Sequence, residues 1–328
     1  MKIDFHTHGK LAKYLPFSKE YTHWLFAEAR YAGLDAICLT EHFNTRGFAE
    51  LYRYIADSFP REGDAYIVSG DKNSSLWEGD AYIVSGDKNS SLWEGDTHIV
   101  SADESSFLGK GDIRIVPNDK ITFPGERNSY INEHLKIFPG MEVDIAEGGH
   151  TLVIGRMEDI LAINLRLEPY KEKKHFLPME QLVKIIREYP VLFGAAHPLR
   201  EGGNIPGLPM ELLNHFDFID LNGKDVAEDE RSARMKVDAF AGLLNIPLVA
   251  GSDTHQSFQY GSVYNIFTED CSTVNSLGES IRRGTYEIHI SRNAAFRVKT
   301  AVVLKRALKE IHALGGDYVS VLLKNNAD

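Results

Sequence analysis

Histidine and carboxylate side chains recur along this chain at the ends of apolar runs. The positions are Asp4, His6 and His8; Glu41 and His42; Glu142, Asp144 and His150; His197; and Asp253 with His255. Six of the 13 histidines are in this set. Mixed imidazole and carboxylate ligands suit Zn, Mn or Fe ions. A tetrahedral site needs only about four ligands, so this number of side chains predicts more than one ion.

The elements that must position these side chains form an alternating series. Strands are predicted at 2–8, 34–42, 135–143, 150–155, 191–197, 216–222 and 246–255. Helices are predicted at 18–33, 44–58, 158–167, 178–189, 207–215, 226–244, 272–284 and 300–314. Such alternation is typical of an α/β fold with a parallel sheet, and seven strands favour a β/α barrel over an open sheet. In a barrel of this kind, catalytic groups lie where the strands end.

The motif series DFHTH, LTEH, GMEVD, a following His150, AHP and GSDTH resembles that of the PHP (polymerase and histidinol phosphatase) family. The resemblance covers the chain outside residues 60–135, and the layout is similar to the stand-alone bacterial members of histidinol-phosphatase-like type. It implies a metal-dependent phosphoesterase on a distorted (β/α)7 barrel, formed here by residues 1–59 and 136–328.

The resemblance also implies two or three divalent transition metal ions (Zn, Mn or Fe). The implied ligands are His6, His8, His42, Glu142, His150, His197, Asp253 and His255. In this scheme Glu142 bridges a first ion, which His6, His8 and Asp253 also hold, to a second ion on His150 and His197. His42 and His255 would hold a third ion. Lys13 and Tyr14 stand where a further His or Asp is expected, so the third site would be weak, completed by water and substrate phosphate, or absent.

This set of residues predicts hydrolysis of a small phosphate monoester by attack of a metal-bridging hydroxide. Glu142, Asp253, His255 and Arg200 are the predicted catalytic residues. Arg200, in AHPLR, is the first candidate to bind the substrate phosphate, since guanidinium matches phosphate in a bidentate way. Lys10, Lys13 and Lys224 are weaker candidates, and a solvated surface charge is the alternative for all four.

Two side chains near the ligands have further predicted roles. Either Asp253 or His255 would pass a proton to the leaving alkoxide. Asp4 shares a strand face with His6 and His8, so it would either orient an imidazole or have a purely structural role.

Two other functions stay open. One is a nuclease or nucleotide phosphatase acting on nucleic-acid ends. The formal net charge of −11 argues against long nucleic acid as a partner. The other is a non-catalytic metal-binding scaffold whose inserted segment makes the interactions.

That segment, residues 60–135, contains a repeat of 16 residues. EGDAYIVSGDKNSSLW at 62–77 recurs identically at 78–93, with diverged copies at 94–109 and 110–125. Short apolar runs between turn residues predict a β-rich insert of stacked coils or hairpins. The insert is interpreted either as an arm for self-association through exposed strand edges or as a tolerated elaboration. Without it about 250 residues remain, the usual size of one barrel.

The composition and the first residues bear on membrane association and on the cellular compartment. No apolar run approaches the ~20 residues of a membrane span, so no membrane partner is expected. The first ten residues have no apolar signal core, and the chain has only Cys38 and Cys271, which suits the reducing cytoplasm.

Overall fold

The central sheet is a nearly closed barrel, and its strands hold the side chains described above. The computed structural model describes residues 1–70 and 133–323. The strands in these residues are β1 (Lys2–Thr7), β2 (Ala36–Leu39), β3 (Arg61–Glu62), β4 (Ala65–Ser69), β5 (His134–Asp144), β6 (His150–Ile154), β7 (Leu192–Ala196), β8 (Phe218–Asn222), β9 (Leu248–Gly251), β10 (Val263–Phe267) and β11 (Tyr286–Ile290). Nine of them follow the order β11-β10-β1-β2-β5-β6-β7-β8-β9, and β4 joins β3 to β5 beside this path.

Helices fill most connections between the strands. They are α1 (Lys19–Tyr31), α2 (Phe48–Ser58), α3 (Met157–Arg166), α4 (Met179–Ile186), α5 (Met210–Leu213), α6 (Gly223–Glu228), α7 (Glu230–Leu244), α8 (Val274–Arg283), α9 (Ala294–Ala313) and α10 (Tyr318–Leu323). The helix predicted at 226–244 is divided in two, because the Asp229 side chain accepts a hydrogen bond from the Ser232 amide and so caps a new helix, α7. Among the described residues, no helix combines the length and the apolar character that crossing a membrane requires.

The α/β class and the barrel-like sheet are confirmed, but the strand pattern differs from the expected (β/α)7 barrel. All seven predicted strands form, yet β6 runs antiparallel to both β5 and β7. Residues 145–149 are too few for a parallel crossover, which needs about a dozen residues, and they close a hairpin instead. Gly148 and Gly149 supply the positive φ angles of this turn, 91° and 108°. Antiparallel β10 and β11 were not predicted, and they extend the sheet beyond β1.

The described part of the repeat segment belongs to the sheet. Strand β4 contains the AYIV run of the first repeat, and it pairs antiparallel with β5. All of the described residues lie in one compact unit. The predicted coils or hairpins from residue 71 to residue 125 lie outside the described residues, so the form of the insert stays a prediction.

Aromatic packing inside the sheet shows how far the sheet curves. Phe5 of β1 lies 5.7 Å from Phe218 of β8 and 5.9 Å from Phe267 of β10, measured between ring centroids. Strands β1 and β8 are well separated in the sheet order, so their side chains meet only because the sheet curls round this cluster. The sheet nearly closes between β1 and β9, since the His8 amide after β1 donates a hydrogen bond of 2.9 Å to the Thr254 carbonyl beyond β9. The carboxyl ends of the strands therefore converge above an apolar core.

Gly251 permits this convergence where β9 ends. A Cβ atom at this position would lie closer than 3.0 Å to the His6 side chain and 2.9 Å from Asp220 Oδ1. We expect Gly251→Ala to lower the free energy of unfolding by about 1–3 kcal/mol, as in other overpacked cores, and to displace His6. Denaturant unfolding of the purified variant measures the change.

Gly242→Ala is the matched control, because nothing lies within 4 Å of the carbon it adds on α7. This variant should be unchanged or more stable by up to about 1 kcal/mol, since alanine favours the helix. Equal stability of the two variants would contradict the steric role of Gly251.

Candidate metal centre

The buried carboxylate of Glu142, in β5, lies at the centre of a group of imidazoles. Its side chain is almost completely inaccessible to solvent. Two imidazole nitrogens lie near its Oε1 atom: His150 Nδ1 at 2.6 Å and His197 Nε2 at 3.1 Å. Three lie near its Oε2 atom: His42 Nδ1 at 2.9 Å, His8 Nε2 at 3.5 Å and His6 Nε2 at 3.6 Å. One carboxylate thus connects side chains from β1, β6, β7 and the segment after β2.

Asp253 is the second carboxylate of the cluster, and it faces imidazoles on one side and cations on the other. Its Oδ1 lies 3.4 Å from His8 Nε2 and 3.5 Å from His255 Nδ1. Its Oδ2 lies 2.7 Å from Lys224 Nζ and 3.2 Å from Arg200 Nη1. Asp253 therefore joins the imidazole cluster to a group of positive charges.

Two residues of the cluster have strained backbones. His197 has a φ of 31° and Asp253 a φ of 57°, in the left-handed region that side chains other than glycine disfavour. Backbone hydrogen bonds hold both: the Asp253 amide donates to the His6 carbonyl at 2.7 Å, and the His197 amide donates to Asp220 Oδ2 at 3.3 Å. Such strain concentrates at functional sites, where the surrounding structure supports it.

The donor atoms of the cluster fit metal ions. Among the described residues, several buried nitrogen and oxygen atoms here make no hydrogen bond, including His6 Nε2, both ring nitrogens of His8, His42 Nδ1 and Glu142 Oε2. An unsatisfied buried polar atom costs about 1–3 kcal/mol, and a bound cation would offset that cost. Four sets of three ligand atoms lie within 4.8 Å of one another: His8, His42 and His255; His6, His8 and Glu142; His6, His197 and Asp253; and Glu142, His150 and His197.

Charges within the cluster shift the protonation of its members. Burial opposes ionisation of Glu142, but the imidazoles of His150 and His42 outweigh burial and lower its pKa well below the usual range. Burial also opposes protonation of His6, yet the nearby carboxylates, first Glu142, raise its pKa well above the usual value. Raised pKa values of His6, His8 and His150 mean that, without metal, protons on these imidazoles balance the buried carboxylates. Metal binding would displace those protons, so metal affinity should rise with pH.

Two further carboxylates lie behind imidazoles and fix their orientation, and a third lies near His8 beyond hydrogen-bond distance. Asp220 Oδ2 is 3.0 Å from His6 Nδ1, and Asp144 Oδ1 is 3.1 Å from His150 Nε2. Glu41 Oε1 is 3.7 Å from His8 Nδ1. A carboxylate behind a ligating imidazole is the usual way to set its tautomer and direction. The prediction did not include Asp220, although the alternation of Asp220 and Asn222 at the end of a predicted strand was the available signal.

Asp4 does not orient an imidazole, so the structural alternative for this residue holds. Its Oδ1 accepts hydrogen bonds from the Ser252 amide at 2.9 Å and from the His6 amide at 3.2 Å. The pairing of β1 with β2 shifts register between Asp4 and Thr7, so the simple alternation expected for this strand is interrupted. Asp4 therefore ties β1 to the segment after β9 through the backbone.

The predicted phosphate-binding cations separate into two groups. Arg200 lies at the cluster, where it donates to Asp225 Oδ1 at 2.9 Å and to Asn222 Oδ1 at 2.7 Å. Lys10 is buried away from solvent, and its ammonium donates to Thr45 Oγ1 at 2.8 Å and to the Arg46 carbonyl. Lys10 thus holds two loops together and is not free to bind a phosphate.

The residues that stand in place of a further metal ligand point elsewhere. Lys13 is exposed, and its carbonyl accepts hydrogen bonds from the Arg46 amide and the Thr45 hydroxyl. Tyr14 is 55% exposed, and its ring lies 5.4 Å from Lys309 Nζ. The structure nevertheless brings all eight predicted ligands into one cluster, with His8, His42 and His255 forming a set of their own. Which ions they hold stays a prediction.

The barrel-like α/β fold thus carries, at one end of its sheet, a histidine–carboxylate cluster whose donor atoms suit metal ions. Residues 231–286 match the family model described as PHP-associated. That match agrees with the resemblance to PHP proteins that the motifs predict. No curated protein matches the chain in sequence.

Two solved structures share the fold. The crystal structure of PsfC from Pseudomonas syringae PB-5123 matches with a TM-score of 0.58 and 19% identity, over 94% of this chain and 98% of PsfC. Endonuclease Q, in a complex with a 27-mer duplex substrate with an abasic lesion at the active site, matches with a TM-score of 0.50 and 15% identity. That match covers 88% of this chain and 58% of the endonuclease chain. Both likenesses concern the fold.

Metal analysis tests the cluster directly. Protein purified under metal-replete conditions should contain at least two transition metal ions per chain, measured by inductively coupled plasma mass spectrometry. Glu142→Gln should lower that number, because an amide removes the charge that two ligand sets share. Glu180→Gln, at an exposed carboxylate on α4, should keep the wild-type content. A content near zero in the wild type would refute the metal centre.

Asp4 makes a pH-dependent contribution to stability. Burial raises its pKa from 3.8 to about 7, against the hydrogen bonds from Ser252. The contribution of the protonated Asp4 carboxyl to the free energy of unfolding is complete below about pH 4. It is lost as the pH rises to 7, a difference of up to about 4 kcal/mol. Asp4→Asn keeps the acceptor oxygen and removes the titration. Urea unfolding of metal-free protein should show that the free energy of unfolding of the variant increases relative to that of the wild type between pH 4 and pH 8.

Asp238→Asn, at an exposed carboxylate of α7, is the matched control for replacing an aspartate by an asparagine. Parallel profiles for Asp4→Asn and the wild type would show that the buried carboxyl does not titrate in this range.

Proposed function

We propose that this protein is a metal-dependent phosphoesterase that hydrolyses a small phosphate monoester, of the stand-alone histidinol-phosphatase-like type. One observation carries the proposal: the two oxygens of Glu142 face different sets of imidazoles, as a carboxylate that bridges two ions requires. The cations beside Asp253, Lys224 and Arg200, supply positive charge that would attract a phosphate group. The family match agrees with hydrolase chemistry.

The residues would divide among the ions as follows. His6, His8 and Glu142 suit one ion, which Asp253 would complete from beside His8. Glu142, His150 and His197 suit a second, and His42 and His255, which lie close to His8, would hold a third. Bound Zn, Mn or Fe ions would activate water and neutralise the charge of the phosphoryl oxygens. The orienting carboxylates Asp220 and Asp144 keep the nitrogens of His6 and His150 directed at these positions before the ions arrive.

Arg200 is the residue we assign to phosphate orientation. Asp225 and Asn222 hold its guanidinium on one side, so few rotamers are left to lose when a phosphate binds. Its Nη1 contacts Asp253, which places the positive charge next to the proposed ligands. Fixed positive charge at this position would stabilise negative charge on the equatorial phosphoryl oxygens.

His255 fits metal ligation better than proton donation. Burial, followed by the charge of His8, lowers the pKa of His255 well below its usual value. The pKa of Asp253 is also well below its usual range, since the charges of Lys224 and the imidazoles outweigh burial. Both side chains therefore lack a spare proton at neutral pH, and we assign both to ligation.

A nuclease or nucleotide phosphatase is the second candidate, because the fold likeness extends to Endonuclease Q in its complex with damaged duplex DNA. The net charge of −11 counts against a long polyanion as the substrate. This chain also spans only 58% of that endonuclease.

A substrate panel separates these functions. Protein loaded separately with Zn, Mn or Fe should release phosphate from small monoesters faster than it cleaves duplex DNA with an abasic site or removes terminal phosphates from oligonucleotides. Glu142→Ala should lower kcat/KM for the best monoester by at least about 10³-fold while circular dichroism shows a folded protein. Glu158→Ala, at a half-exposed carboxylate that pairs with Arg61, is the control and should keep full activity.

The outcomes are distinct. Preference for the DNA substrates would favour the nuclease function. Wild-type activity in Glu142→Ala would refute the bridging role. Absence of turnover on every substrate, with metal bound, would favour a non-catalytic scaffold.

A further inference from the structure

The buried face of α9 includes charged residues, among them Arg297, which donates a hydrogen bond to the Tyr260 carbonyl at 3.1 Å, and Lys305. Ala294, Val298, Ala301 and Leu308 are all less than 5% exposed, and they recur at the spacing of three, four or seven residues that marks one helix face. Lys305 occupies the position four residues after Ala301 and three before Leu308 on this face. An apolar residue is expected there. Since α9 packs against α6 and against the short 3₁₀ helix Ser257–Gln259, this face turns the lysine toward the end of the barrel that holds the metal centre.

The charges around Lys305 belong to that centre. Its ammonium interacts electrostatically with Lys224, Asp253 and Glu41, and it contributes to the environment of His255. Burial, followed by the repulsion of Lys224, lowers the pKa of Lys305 to about 7. The side chain is thus partly buried among the residues proposed to bind metal and phosphate.

Lys305 differs from its cationic neighbours in having no counter-ion. Lys224 Nζ is 2.7 Å and Arg200 Nη1 is 3.2 Å from Asp253. Within the described part of the chain, Lys305 makes neither a hydrogen bond nor an ion pair. Desolvating an unpaired ammonium is costly, and bound metal ions would repel it further. An anion between the lysines and the ions would offset both effects.

We propose that Lys305 is a substrate-binding residue whose ammonium, together with Arg200 and Lys224, contacts anionic oxygens of the substrate phosphate. The inference deepens the proposed phosphoesterase function and rests on it for the identity of the anion. It assigns to the C-terminal helix α9 a direct part in recognition. Three cations from three different segments would then surround one phosphate group.

Inorganic phosphate is the probe, and its binding to zinc-loaded protein is measured by isothermal titration calorimetry. Lys305→Met keeps the length of the side chain and removes its charge, so the Kd for phosphate should rise at least about tenfold, which corresponds to about 1.4 kcal/mol. Lys305→Arg should keep most of the affinity. Lys299→Met, at an exposed position of the same helix, should bind phosphate as the wild type does.

Two measurements exclude indirect effects. The zinc content of Lys305→Met should equal that of the wild type, and its thermal stability should be equal or higher, because a desolvated ammonium has been removed. In turnover assays the KM for the monoester should rise more than kcat falls. Unchanged phosphate affinity in Lys305→Met, or absence of phosphate binding to the wild type, would overturn the proposal.

The same experiment distinguishes this proposal from the proposed function. If no monoester is hydrolysed but Lys305→Met still loses phosphate affinity, Lys305 is an anion-binding residue and only the phosphoesterase function fails. If monoesters are hydrolysed with the same KM by the wild type and Lys305→Met, the function stands and the role of Lys305 fails.

Discussion

The burial of one carboxylate among five imidazoles is the constraint on which the rest of this structure depends. Glu142 lies in β5, and its nitrogen partners come from strands that are distant in sequence. Burying a charge is costly unless oppositely charged or polar groups surround it. The barrel must therefore close far enough to bring these strands together, and the apolar contacts of Phe5 with Phe218 and Phe267 provide the packing that holds it closed.

Close approach at the carboxyl ends of the strands requires local departures from regular structure. The Gly148–Gly149 turn reverses the chain so that His150 returns beside Glu142, and Gly251 lets β9 lie against His6. His197 and Asp253 adopt strained backbone angles that hydrogen bonds from neighbouring segments support. Strain and close packing occur together here because the side chains of the cluster need positions that a regular sheet does not provide.

Asp253 connects the two halves of the site. On one side it faces His8 and His255, and on the other it pairs with Lys224 and Arg200. This arrangement places positive charge next to ligands that suit positive ions, a combination that is favourable only when an anion lies between them. The net negative charge of the chain therefore does not describe the potential that a substrate phosphate would meet.

The amino-acid sequence by itself predicted seven of the strands and the class of fold, and the resemblance of its motifs to those of PHP proteins implied the eight proposed ligands. Alternation of apolar and polar residues is a local property, and the ligand types follow each strand in the chain. Tertiary structure decided which way β6 runs, that β10 and β11 extend the sheet, and that Asp220 rather than Asp4 orients His6. It also separated Lys10 from the site and brought Lys305 towards it. These features depend on which side chains meet across the closed barrel, and contacts between distant segments have no signature in the spacing of residues along the chain.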